Sequence, residues 1–378
     1  MTQPEKNRIF NGLGQVAGRV YNFNGGPAAL PLPVLEEVAS EILNWRGTGM
    51  SIMENSHRDK KVVAMALETE ETLKELLGLK DEWKVLFLQG GASLQFAMIP
   101  MNFAPDGAAS DYVNTGMWSD KAYKEAVICG SGAKIIATGE AENFTRIPSG
   151  KLDYRPDARY VYLTANNTVR GTEWKSFPTD APAPLIADMS SDFLSRPLDL
   201  SRFALVHAGA QKNVGPAGLT IVLARTEFAK TGKKGLPHLL DYRTYIDSDS
   251  MYNTPPVFAI YVAGLVFKWI RDAVGGLGKM AEINEAKAAR LYAAIDGSGG
   301  YYRGTAAEDS RSLMNVTYRL PSEELEKKFL EEGKKAGLCG LNGHRSVGGI
   351  RASVYNAVPD RGVDTLIEFM ADFKAKNH

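Results

Sequence analysis

HAGAQKNVGPAGLT, residues 207–220, sets a lysine into a stretch with little room for a solvated charge. The apolar run FALV, 203–206, leads into it. After Lys212 comes NVGPAG, 213–218, whose glycines and proline break both helix and strand. A second apolar run, LTIVL at 219–223, then begins. Short apolar runs bounded by turn residues are the mark of buried strands. Lys212 therefore stands on a tight loop between two core strands. A lone lysine is ordinarily a solvated charge, so the meaning of this one depends on what surrounds it.

Similar runs recur on either side: KVLFL at 84–88, DYVNT at 111–115, YVYLT at 160–164 and PLIAD at 184–188. Between and before them lie helical patterns. One starts near Pro33, one covers 59–79 and ends at Gly78, and one covers 94–103. Strands alternating with helices predict an α/β fold with a mostly parallel sheet wrapped by helices. Around 272–278, DAVGGLG, the pattern changes. A charged helix (279–295), a strand (314–320), a helix (322–337), a glycine-rich stretch (340–349) and a last helix (360–375) follow. The expected organisation is an N-terminal arm at 1–20, a large domain at 21–272 and a smaller α+β domain at 273–378.

Composition narrows the function classes. The chain has 378 residues, 44% of them hydrophobic and 23% charged, which is ordinary for a folded globular protein. Its formal net charge is zero, so no basic excess points to nucleic acid. An anionic ligand would have to be gripped by a few local cations. Two cysteines, Cys129 and Cys339, give neither a disulfide framework nor zinc-ligand spacing, and no metal is expected. With no apolar leader and no membrane-length apolar run, the expected location is cytoplasmic.

In open α/β sheets ligands bind beyond the carboxyl ends of the strands. The first strand is followed by Gly90-Gly91-Ala92-Ser93 and a helix, either a tight turn or an anion site at a helix N-terminus. The second is followed by Gly116-Met117-Trp118, a rim aromatic or one that stacks on a flat ring. The third leads to Asn166-Asn167-Thr168, with hydroxyl and amide groups. The fourth ends in Asp188, a helix cap or the partner of a buried cation. A phosphate-binding loop, a stacking ring, an acid and a lysine on a tight loop are together what pyridoxal 5'-phosphate requires. The lysine would capture its aldehyde, and the acid would hold its pyridinium nitrogen protonated.

Four segments carry a resemblance. MENSHRDK (53–60), HAGAQKNVGPAGL (207–219), YNTPPVFAIYVAGLVFKWI (252–270) and GHRSVGGIRASVYNA (343–357) occur in order. With them the chain resembles the phosphoserine aminotransferase family, in the class V group of fold-type I pyridoxal-phosphate enzymes. The resemblance implies a seven-stranded sheet in the large domain and a homodimer with shared active sites. It implies that Lys212 is the Schiff-base lysine, Asp188 the partner of the pyridinium nitrogen and Trp118 the stacking ring. Ala92, Ser93 and Gln211 would contact the phosphate, and Thr168 the ring oxygen. Asn253 and Thr254 would reach the phosphate from the other subunit. Arg351 would clamp the α-carboxylate, and His57, Arg58, His344 and Arg345 the second anion of each substrate. Asn-Asn-Thr-Val at 166–169 departs from the common Asn-Glu-Thr-Ile, and Gly-Gly-Ala-Ser departs from the usual phosphate loop.

The implied reaction is reversible: L-glutamate and 3-phosphohydroxypyruvate give 2-oxoglutarate and O-phospho-L-serine, a step of L-serine biosynthesis. The four-carbon phosphorylated analogue of vitamin B6 synthesis, 4-phosphohydroxy-L-threonine, differs by about one carbon, which pocket shape discriminates weakly. Other readings are a serine– or alanine–glyoxylate aminotransferase, a cysteine desulfurase using Cys339 as a loop nucleophile, and a phosphate-ligand binder that has lost catalysis.

Overall fold

In the computed structural model the described residues are 19–377. Nearly all of the expected arm, residues 1–18, lies outside them. The central sheet has seven strands: β1 (Trp83–Leu88), β2 (Ala109–Asn114), β3 (Gly132–Thr138), β4 (Val161–Thr164), β5 (Leu185–Asp188), β6 (Phe203–Gly209) and β7 (Thr220–Arg225). Their order across the sheet is β1-β7-β6-β5-β4-β2-β3. All neighbouring pairs are parallel except those of β7, which runs antiparallel to both β1 and β6. The hairpin joining β6 to β7 is the loop that carries Lys212.

Every residue of β5 and β6 is buried, as expected of strands covered on both faces. One face packs against α2 (Lys60–Leu77) and α5 (Val257–Lys268), with Val85, Leu163, Val206 and Leu223 among the buried side chains. The other packs against α3 (Gly91–Phe103) and α4 (Met117–Ile128), where Leu88, Phe96, Tyr162 and Leu205 are buried together. Helix α1 (Leu32–Glu41) starts at the expected proline. Helix α4 and strand β3 were not expected from the sequence.

The C-terminal part contains α6 (Leu277–Asp296), α7 (Glu323–Lys335) and α8 (Asp360–Lys376). They cover an antiparallel sheet ordered β8 (Arg303–Gly304), β9 (Asn315–Arg319), β10 (Ile350–Ser353). Helix α7 shows why its sequence folds so: Ser322 caps it by accepting from the Leu325 N–H at 3.3 Å. Glu323, Glu324 and Glu326 fill its first turn and Lys334 and Lys335 its last, each matching the helix dipole.

Tyr21 and Phe23 pack into this second core, and Tyr21–Asn22 pairs in parallel with Leu338–Cys339. Cys339 therefore sits in a strand, not on the loop expected of a sulfur nucleophile, and its carbonyl accepts from the Phe23 N–H at 2.8 Å. The second core is fastened to the first by amide side chains. Asn284 on α6 donates to the Ser195 carbonyl at 3.0 Å and to Asn356 Oδ1 at 2.8 Å. The Asn356 N–H donates to Asn213 Oδ1 at 3.0 Å, directly beside Lys212.

Candidate active site

Strand register sets the site. Thr220 lies opposite both Leu88 and Gly209, Asp188 lies opposite His207, and Thr164 lies opposite Asp188. The segments that follow β1, β4, β5 and β6 thus emerge along one edge of the sheet. They carry Ala92 and Ser93, Thr168, and Gln211 and Lys212, with Asp188 the last residue of β5 itself.

Lys212 is 8% exposed, and its Nζ donates to Thr168 Oγ1 at 2.8 Å. Burial pushes its amine down to about 8, Arg351 pushes the same way, and Asp188 and Asp192 oppose them. Asp188 is buried and accepts from the Ser190 N–H at 2.8 Å. Thr168 also offers its carbonyl to Arg351 Nη1 at 3.2 Å. Lys212, Thr168 and Arg351 are therefore one hydrogen-bonded group, with Asp188 acting on it through its charge.

Arg351 enters from β10, and Gly25 lies against it. A Cβ on Gly25 would stand 2.5 Å from the guanidinium carbon, so only glycine permits this approach. The Tyr355 hydroxyl donates to the Gly25 carbonyl at 3.1 Å and accepts from Asn315 at 3.2 Å. Burial lowers the Arg351 pKa, and its Nε has no hydrogen-bond partner among the described residues.

Helix α3 begins without a side-chain cap at Gly90, whose φ of +85° is left-handed. Its first N–H groups, next to Ala92 and exposed Ser93, are therefore free for an anion. Gln89, just before them, donates to the Thr254 carbonyl at 3.1 Å. Trp118 sits in the first turn of α4, half-buried, with its Nε1 buried and without a partner among the described residues.

His344 lies on the turn before β10, its Nδ1 2.7 Å from Ser346 Oγ. Burial lowers its pKa, and Arg351, Arg345 and Lys121 lower it further. Arg345 is exposed. His57 and Arg58 stand apart: among the described residues no side-chain hydrogen bond or ion pair ties them to this group, and His57 Nε2 is buried without a partner.

Three residues at the site were not expected. Asp192 is fully buried, neither carboxyl oxygen has a hydrogen-bond partner among the described residues, and Arg196 is 3.8 Å away. Burial pushes its carboxyl up to about 8. His207 is fully buried with Nε2 2.9 Å from the Tyr162 hydroxyl, and burial lowers its pKa against the opposing charge of Asp188. Tyr355 is the third. Asp192 and Tyr355 lie a few positions from Asp188 and Arg351, but only spatial packing distinguishes them from other core residues.

An amine held near neutrality, a buried carboxylate, an indole with a free N–H and an uncapped helix N-terminus fit pyridoxal phosphate. The sequence profile of the family Aminotransferase class-V matches residues 20–366. A phosphoserine aminotransferase of Desulfosudis oleivorans is 54% identical over 359 residues, covering 95% of this chain and 99% of its own. The solved phosphoserine aminotransferase of Bacillus circulans subsp. alkalophilus is 50% identical, with a TM-score of 0.93 over 96% of this chain and 100% of its own. The pyridoxal-phosphate-bound phosphoserine aminotransferase of Trichomonas vaginalis is 40% identical, with a TM-score of 0.89 over 93% of this chain and all of its own. The chain belongs to the class V aminotransferases and, within them, to the phosphoserine aminotransferase family.

Proposed function

We propose that the chain transfers the amino group of L-glutamate to 3-phosphohydroxypyruvate, reversibly, giving 2-oxoglutarate and O-phospho-L-serine. The observation that carries this reading is the buried Lys212 amine, 2.8 Å from Thr168 Oγ1 and grouped with Asp188 and Arg351 at the strand ends. Bound pyridoxal phosphate supplies an aldehyde for the amino group and a ring that draws electrons from the substrate's α-carbon.

The chain's own residues do the rest. Lys212 would hold the group by its aldehyde and serve as the carrier of the α-proton, and both tasks need a neutral amine, which its burial favours. Asp188, at the end of β5, would hold the ring nitrogen positive. Trp118 would cover a face of the ring, and Thr168 would serve its ring oxygen. The free N–H groups opening α3, with Ala92, Ser93 and Gln211, take the phosphate. Arg351 clamps the α-carboxylate through two parallel hydrogen bonds. His344 and Arg345 take the second anion.

His57 and Arg58 act in a homodimer, from across the interface. They lie between exposed apolar side chains, Leu43, Met50 and Met53 before them and Leu67 after, which a partner would cover. Asn253 and Thr254 likewise serve the phosphate of the partner's site. The two cores are two domains that meet near residue 272, with 21–23 packed into the second. Free Cys129 and Cys339 suit a cytoplasmic location.

The test is an absorbance titration of the cofactor-loaded protein. O-phospho-L-serine should discharge the visible band of the lysine-bound cofactor, and L-serine should hardly do so. A band discharged equally well by L-serine would favour a serine–glyoxylate aminotransferase.

A further inference from the structure

Lys121 stands on α4 one turn beyond Trp118, and its Nζ lies 4.7 Å from the indole centroid. Its neighbour Lys124 is paired with Asp120 at 2.7 Å. Lys121 makes no ion pair with a carboxylate among the described residues. Its charge is felt at His344, where it acts in the same direction as Arg345 and Arg351, and no carboxylate offsets the three. Two elements distant in sequence, the first turns of α4 and the turn before β10, thus bring uncompensated positive charge to one corner of the site.

We propose that Lys121 is a further specificity-determining residue, which supplies a cation to the substrate's second anion beside His344 and Arg345. The proposal rests on the transaminase reading above and deepens it. Like charges gathered without a counter-ion repel one another, and an anion entering among them relieves that repulsion. The relief scales with the anion's charge, so a phosphate dianion gains about twice the free energy that a carboxylate does. The Trp118 ring has a second use here. A cation over an indole face is attracted to it, which steadies the flexible four-carbon stem of the lysine. The i,i+3 spacing on one helix face brings the two side chains together. One helical turn would then present both a surface for the cofactor ring and a charge for the substrate.

The experiment compares wild type with Lys121→Gln and Lys121→Arg, all cofactor-loaded. Single-turnover absorbance gives the half-saturating concentration and the limiting rate for O-phospho-L-serine and for L-glutamate separately. Lys121→Gln should raise the half-saturating concentration about fivefold for O-phospho-L-serine and about twofold for L-glutamate, following the ratio of charges. Limiting rates should stay within about twofold, and both differences should shrink at about 1 M salt, as screening requires. Lys121→Arg keeps the charge and should stay near wild type. Equal losses on both substrates, a loss confined to the limiting rate, or no change would each overturn the proposal. The first two would leave Lys121 as a support for Trp118. Failure of the underlying reading is visible separately, because wild type would then not distinguish O-phospho-L-serine from L-serine.

Discussion

Lys212 has to be neutral to capture an aldehyde, and its surroundings decide how much of it is. Its ordinary pKa of 10.5 falls to about 8, chiefly through burial. Capture of pyridoxal phosphate by the cofactor-free protein should therefore speed up as pH rises through about 8 and level off above it. Stopped-flow absorbance between pH 6 and about 9.5 would show this, and a flat profile would contradict it. Lys212→Ala should keep its fold and lose turnover entirely; transamination at the wild-type rate would remove the lysine from the mechanism. His344 follows the opposite logic. Its pKa is lowered by burial and by neighbouring cations, so binding an anion should draw a proton onto it. Affinity for L-glutamate, whose side-chain carboxylate keeps its charge across this range, should then strengthen as pH falls below the usual imidazole value, a slope that His344→Asn should flatten.

Among elements, α6 contains an unusual side chain. Lys287 is fully buried, and its Nζ donates to the carbonyls of Tyr355 at 2.9 Å and Val358 at 3.1 Å. It ties the helix to the chain just beyond Arg351. Lys287→Met leaves these carbonyls unsatisfied and should cost about 1–3 kcal/mol in denaturant unfolding. Burial lowers the folded amine to about 7, below its unfolded value of 10.5. Between those values the unfolded chain binds more protons, so wild-type stability rises with pH across that window. The difference between wild type and Lys287→Met should widen from pH 7 towards 10, and a constant difference would show that the amine does not titrate there. Elements also differed in how legible they were. The interior strands stood out because their apolar runs end at glycine, aspartate or threonine. Edge strand β3, GAKIIAT, is only partly buried and carries Lys134, so its pattern is diluted. Helix α4 leaves Val127 and Ile128 exposed on its last turn, which blurs the helical period. Lys212, Asp188 and Thr168 could be picked out as strand-end residues, whereas the meaning of Arg351 and the His-Arg pairs came from resemblance alone. Asp192 and His207 could not be found, because burial beside a functional group leaves no local signature.

At the scale of the molecule, the proposal that His57 and Arg58 serve a partner has a direct consequence. Lys212→Ala and Arg58→Ala should each be inactive alone. Mixed and allowed to exchange subunits, they should regain about a quarter of wild-type activity, because half of the dimers are mixed and each has one intact site. No recovery, with exchange verified by mass, would place Arg58 in its own subunit's site. The same proposal assigns the exposed apolar side chains around Leu43 and Met53 to the interface with the partner. Charged replacements at Leu43 and Met53 should split the dimer in light scattering and lower activity with it.

The antiparallel β7 has one more effect, on the order in which the chain comes together. Strand β1 touches the sheet only through β7, although five other sheet strands lie between them in sequence. That pairing closes a very long loop, and long-range closures form late. The free helix end after β1 and the lysine hairpin before β7 become neighbours only at that step. In refolding, pyridoxal phosphate should therefore leave the early phases unchanged and be captured only in the last one, so the cofactor would act as a reporter of completed assembly.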